Sequence, residues 1–206
     1  MKSSAIYTTP LVEPTQKRAK ETYRSLLRAA QEIIAEDGFE ALNSNAIVDR
    51  AGLTPPAFYR YFENKHSILA VLGRQLMDAQ NAIVGELLSR DGWTGERALE
   101  ETRSLVRGTL KVTEGFKGGY ALMVSLRAIP ALREIRLSSH SHVAAQMTER
   151  YLEIDRNADR AEIYDRFRLA SEIGYASVEM LLETDECDRE RIIGRTAEAI
   201  RAVLTP

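Results

Sequence analysis

The sequence predicts an all-α protein, with an N-terminal three-helix head containing a helix-turn-helix and a larger C-terminal helical domain. Three observations carry this. Apolar residues recur at three- and four-residue intervals, glycine and proline interrupt that recurrence at lengths suited to helices, and no stretch alternates apolar and polar as a half-buried strand does. At 206 residues, 44% hydrophobic and 28% charged, the chain is long enough for one small core and one larger one.

The first helix spans residues 15–37, where Tyr23, Leu27, Ala30 and Ile34 form an apolar stripe. Gly38 ends it, and Phe39 and Leu42 add to a small core. Asn43 is a favoured N-cap, and behind it Ile47, Val48 and Ala51 share one helical face. Gly52 tolerates the positive backbone dihedral at which that helix stops, and Leu53 fills the angle of the turn. Thr54 is expected to cap a second short helix with Pro55 at its first position, where a missing N–H costs nothing. Phe58 and Phe62, four apart, face inward, while Ala57, Tyr59 and Tyr61 are carried to other sides.

From Lys65 the pattern Ile68, Leu69, Leu72, Leu76, Ala79, Ile83, Leu87, Leu88 runs without proline, so one long helix links head to body. A break is expected at 91–95, then a helix through Leu99, Leu105, Val106, Leu110 and Val112 that ends at the glycines between 115 and 119. Further helices are expected over 120–128, 130–155, 159–183 and 188–204. The domains are therefore read as a flexible arm over 1–14, a head over 15–64 and a helical body over 65–206.

The head resembles the TetR family of transcriptional regulators over residues 17–72. Gly38 and Phe39, Ala51 and Gly52, Thr54, Phe58, Tyr59, Tyr61, Phe62, Asn64 and Lys65 match the family pattern in order and spacing. The chain departs from that pattern at Pro56 and Ala57, where glycine and a small hydroxyl residue are usual, and at Asn45, where arginine is common. The resemblance implies a repressor that binds a palindromic double-stranded DNA operator as a homodimer and is released by a small-molecule effector. A helical ligand-binding or scaffolding dimer without sequence-specific DNA binding is the alternative.

Chemistry assigns roles within that frame. Ser44, Asn45, Pro55, Pro56 and Ala57 are the groove candidates, with Asn45 suited to adenine and Ala57 to a thymine methyl. Thr54, Tyr59 and Tyr61 carry hydroxyls for phosphate oxygens, and Lys65 stands where a helix N-terminus and its own charge both favour phosphate. The net charge of −2 excludes indiscriminate coating of nucleic acid, so any basic footprint is local. Lys17, Arg18, Lys20, Arg24 and Arg28 supply one.

For the body, the resemblance implies a ligand pocket, with Trp93, Phe116, Tyr120, Met123, Arg127, His140, Met147, Tyr151 and Tyr164 as aromatic and polar lining candidates. It also implies a four-helix dimer interface through Phe167, Ile173, Gly174, Val178, Ile193, Ala197 and Ile200, a spacing that equally describes intrachain core. No catalytic constellation or cofactor motif stands out, and His140 and His142 are two apart, off the i, i+4 spacing of a helical metal pair. The lone Cys187 permits no internal disulfide, and neither a signal peptide nor a membrane span is read, so a soluble cytoplasmic protein is expected.

Overall fold

The computed structural model describes residues 14–88 and 96–205. The expected arm, apart from Pro14, the break at 91–95 and the ligand candidate Trp93 lie outside the described residues. Those described are helical throughout apart from turns. In order they form α1 (Lys17–Glu36), a 3-10 turn (Phe39–Ala41), α2 (Ser44–Ala51), α3 (Pro55–Tyr59), α4 (Lys65–Leu88), α5 (Glu96–Gly115), α6 (Gly119–Ala128), α7 (Arg133–Ile154), α8 (Arg160–Glu183) and α9 (Arg189–Leu204). None of these helices is long and apolar enough to cross a membrane.

Two compact units share the described residues, one within Met1–Leu76 with Phe116–Ile135, the other Met77–Gly115 with Arg136–Pro206. This division differs from a head ending at 64 and a single body beyond it, because the head is completed from outside its own stretch of sequence. Ser67, Ile68, Leu69 and Leu72 at the start of α4 are buried. Later in the chain, α6 packs on α1. At Gly118, which has a φ of 75°, a Cβ would stand 3.2 Å from the Ile34 side chain, so the turn into α6 lies against α1. At Gly73 a Cβ would meet Leu126 at 2.7 Å, which shows how closely α4 and α6 approach.

Within this unit, Leu26, Leu27, Ala30, Ile33 and Ile34 of α1 are buried together with Leu42, Ile47, Val48, Phe58 and Phe62. Asn43 caps α2 as its side chain accepts the Ala46 N–H at 2.9 Å. Gly52 ends α2 in the left-handed region, at φ 65° and ψ 34°, and the Leu53 N–H then reaches the Val48 carbonyl at 2.8 Å. Thr54 departs from expectation, since its hydroxyl makes no capping hydrogen bond and Pro55 and Pro56 remove two donors from that end of α3.

In the second unit α8 packs along α9, and α5 packs against both. Asp159 and Asp188 cap α8 and α9, accepting the Ala161 N–H at 2.8 Å and the Arg191 N–H at 3.0 Å, as a carboxylate at a helix N-terminus should. The helix expected from 130 starts instead at Arg133. The Ile129 carbonyl takes the Leu132 and Arg133 N–H groups in a turn first.

Substituting Gly52 isolates the backbone term, because a Cβ there meets nothing within 4 Å. Gly52→Ala is expected to lower unfolding free energy by about 1 kcal/mol through the left-handed dihedral alone. Gly85→Ala, on α4 and equally open, is expected to be neutral or to stabilise by up to about 1 kcal/mol. Urea denaturation of both variants measures the difference.

Candidate nucleic-acid interface and ligand cavity

The helix-turn-helix is held by aromatic rings. Tyr23 of α1 stacks on Phe62 at 5.2 Å and 18°, and Phe58 meets Phe62 at 5.6 Å. Phe58 and Phe62 are fully enclosed, and each such burial contributes about 1.5–3 kcal/mol. Tyr59, the next residue, is 58% exposed. Its hydroxyl lies 3.1 Å from Ser44 Oγ, tying the end of α3 to the start of α2. Asn45, Thr54, Pro55 and Pro56 are exposed and Ala57 half-buried around this tie.

Two expected phosphate contacts sit differently from the others. Tyr61 turns back toward α1, its ring edge-on to Tyr23 at 5.7 Å with the Arg60 guanidinium 5.8 Å from its centroid. Lys65 places its ammonium 4.6 Å over the Phe39 ring. The α4 N-terminus beside it is self-capped. Asn64 Oδ1 accepts the His66 N–H at 2.8 Å and the Ser67 N–H at 3.2 Å, so those amides are already satisfied. On α1, Lys17, Lys20, Arg24 and Arg28 recur at three- and four-residue spacing along the face opposite the buried stripe.

The second unit holds a half-open cavity of about 120 Å³ between α4, α5, α7, α8 and α9. Of the residues expected to line a ligand pocket, His140 and Met147 do so. Tyr151 and Tyr164 pack instead against the apolar cluster of Val84, Ala144, Met147, Ile163 and Phe167. Phe116, Tyr120, Met123 and Arg127 fall in the other unit, because α6 belongs to the head. The polar wall at Gln80, Asn81, Ser139 and Ser171 was not anticipated. Gln80 and Asn81 sit on the long helix read only as a connector, and two adjacent amides inside its apolar run are the signal that could have marked them.

The residues expected between subunits are mostly covered within the chain. Phe167, Val178, Ile193, Ala197 and Ile200 are buried, and Phe167, Gly174, Val178 and Ile200 line the cavity. Ile173 alone is half-buried on a different face. That face continues through Leu169, Ala176 and Met180, with Leu169 52% and Met180 36% exposed. Periodicity marks an apolar stripe without saying which chain covers it.

His140 anchors the polar end of the cavity. Its Nδ1 is 3.2 Å from Glu172 Oε1, and its ring meets Tyr175 edge-on at 4.7 Å. Glu172 also accepts both contacts of Arg136 Nη1 at 2.9 Å and one from Arg168 Nη2 at 2.7 Å. Burial pushes the imidazole down to about 4; Glu172 opposes this, and the Arg136 and Arg168 charges reinforce it. For Glu172, burial acts to raise the carboxyl, but the Arg168 hydrogen bond, the His140 contact and the Arg136 charge prevail and hold it at about 2. The histidine is therefore neutral near pH 7 with Nδ1–H donating to the carboxylate, which leaves Nε2 as an acceptor.

Residues 26–72 match the model of the bacterial regulatory proteins, tetR family. The Transposon Tn10 TetC protein of Escherichia coli is 30% identical over 89 residues, 42% of this chain and 44% of that protein. The Fatty acid metabolism regulator protein of Bacillus subtilis is 39% identical over 62 residues, 30% of this chain and 31% of that one. The chain thus spans less than half the length of these relatives. Among solved structures, the Bacillus subtilis transcriptional regulator FadR in complex with stearoyl-CoA superposes with a TM-score of 0.64 at 18% identity, over 89% of this chain and all of that one. That likeness shows a shared fold.

The His140 site makes stability depend on acid. The unfolded chain protonates this histidine near 6.5, whereas the folded chain resists until about 4, so stability is full above 6.5 and falls as pH drops through that window. The loss is expected to reach on the order of 3 kcal/mol. Urea midpoints at pH 7 and pH 4.5 should converge for His140→Gln relative to the unaltered chain.

Proposed function

We propose that this chain, whose residues 26–72 match the model of the bacterial regulatory proteins, tetR family, is a transcriptional regulator, a repressor that binds a palindromic DNA operator as a homodimer. The observation that carries the reading is the pairing of neighbours on α3, Phe58 enclosed and Tyr59 exposed, which holds a short helix rigidly while presenting its outer face. Asn45, Pro55, Pro56 and Ala57 enter the major groove, and Ser44, Thr54 and Tyr59 position the head on phosphate and sugar. Thr54 suits this role because its hydroxyl is not spent on capping. Tyr61 and Lys65 serve at the margin, Lys65 swinging from Phe39 toward a phosphate.

The basic face of α1 supplies the non-specific part of the affinity. Two heads are needed, since half-sites lie about one DNA turn, roughly 34–36 Å, apart. We place the dimer contact on the open face of α8 through Leu169, Ile173, Ala176 and Met180, with Gly174 on the cavity side. Phe167, Val178, Ile193, Ala197 and Ile200 support that face from behind.

The effector binds in the cavity and shifts the population between a dimer whose heads match the groove and one whose heads do not. α4 carries the linkage by chain continuity, contributing Gln80, Asn81 and Val84 to the cavity wall. A preference of 1–3 kcal/mol for the mismatched state weakens DNA binding about 5- to 150-fold. The ligand of the Bacillus subtilis FadR structure does not transfer with the fold, because the two chains are only 18% identical.

Selection of bound DNA from a random pool should return an inverted repeat, and recovery of unrelated sequences would end the regulator reading. Lys17→Ala and Lys20→Ala should each reduce the slope of log affinity against log salt by about 1 with unchanged sequence preference. Met180→Glu should shift the chain toward monomer in light scattering and weaken binding to the full palindrome far more than to a half-site.

A further inference from the structure

We infer that the cavity selects an uncharged, single-ring hydroxyl compound of the phenol class, which donates its hydrogen bond to Nε2 of His140. The inference rests on the effector reading above and names the chemistry of that same cavity. Size sets the first limit. An engineered apolar cavity of about 150 Å³ accepts benzene, so one of about 120 Å³ accommodates one ring and little else. The walls suit a ring, with Val84, Leu105, Val106, Val143, Met147 and Phe167 among them.

The polar groups of the wall set the second limit, because the threonine and serine hydroxyl hydrogens among them are already used. Thr102 Oγ1 donates to the Ala98 carbonyl at 2.7 Å, Thr109 Oγ1 to Leu105 at 2.9 Å and Ser171 Oγ to Phe167 at 2.9 Å. Gln80 donates to Thr113 Oγ1 at 2.8 Å, and Asn81 donates to Ser139 Oγ at 3.0 Å. What these groups leave toward a ligand is chiefly lone pairs. His140 completes the pattern. It lines the cavity, its side chain is 8% exposed, and among the described residues Nε2 has no hydrogen-bond partner.

The Nε2 lone pair favours a ligand that donates, and a carboxylate is disfavoured because no lysine or arginine stands among the lining residues to offset the burial of its charge. The nearby cations do not reverse this. Arg136 and Arg168 both converge on Glu172, and neither lines the cavity. A bare hydrocarbon ring fits but leaves Nε2 unsatisfied, which is the cost a phenol removes.

The test measures binding of phenol, toluene and benzoate to the purified full chain at pH 7.5 by calorimetry, with no DNA present. Phenol is expected to bind at least 5-fold more tightly than toluene and at least 10-fold more tightly than benzoate. In His140→Phe the advantage over toluene should vanish while toluene itself still binds. On the unaltered chain, phenol but not toluene should move the His140 Nε2 resonance in nitrogen-detected NMR, a readout that does not depend on the variant folding. Benzoate binding as well as phenol, no binding by any probe, or an Nε2 resonance unmoved by bound phenol would each overturn the inference. Retention of operator DNA, scored separately with and without phenol, bears on the regulator reading alone.

Discussion

A helix of five residues cannot hold itself together in water, since helix nucleation costs more than one turn of hydrogen bonds returns. α3 (Pro55–Tyr59) exists because Phe58 and Phe62 are buried against α1 and α2, with Tyr23 stacked on Phe62. Everything proposed for the outer face depends on that anchoring. Two consecutive prolines fix the φ of its first turn, Gly52 sets its direction, and the Ser44 to Tyr59 contact closes its far end. The exposed residues are therefore displayed by a framework whose stability comes from inward-facing rings rather than from helix propensity.

The cavity depends on a different constraint, the placement of charge just outside it. Glu172 gathers Arg136, Arg168 and His140, so one carboxylate faces two guanidinium groups. With the histidine neutral the group carries a net charge of one positive; protonating the histidine would double that charge in a buried setting. The cluster thus keeps the imidazole uncharged and fixes its tautomer, and the cavity receives a hydrogen-bond acceptor rather than a cation. Charge and recognition are separated by one ring.

Much of the head was legible in the sequence because its signals are local. Asn43 and Gly52 announce helix ends through backbone requirements that packing does not override, and each acts where it was read; the helices expected from 159 and 188 begin there too, capped by Asp159 and Asp188. Thr54 failed as a cap because two prolines follow it and leave it fewer amides to serve. The cavity was harder to read. Its lining comes from helices far apart in sequence, so Phe116, Tyr120, Met123 and Arg127 looked suitable by composition yet belong to the unit that α6 joins. The stripes on α8 and α9 were real, but periodicity reports an apolar face and not its partner, so residues read as intersubunit are covered by α5 and by each other.

α4 shows why the two parts of the molecule need not be designed separately. Its first turns, through Ser67, Ile68, Leu69 and Leu72, are core of the head, and about two turns later Gln80, Asn81 and Val84 form cavity wall. The helix contains no proline, so between these two sets its hydrogen-bond ladder offers no built-in hinge. A ligand that displaces the Gln80 to Val84 turn must bend the helix, shift it along its axis, or turn it as a body, and close packing makes the last two cheaper than stretching several backbone hydrogen bonds. Buried Gln80, held to Thr113 at 2.8 Å, ties that turn to α5, so the effector reading proposed above would have a definite first step: a ligand that competes for the Gln80 amide or crowds Val84 would loosen α4 from α5.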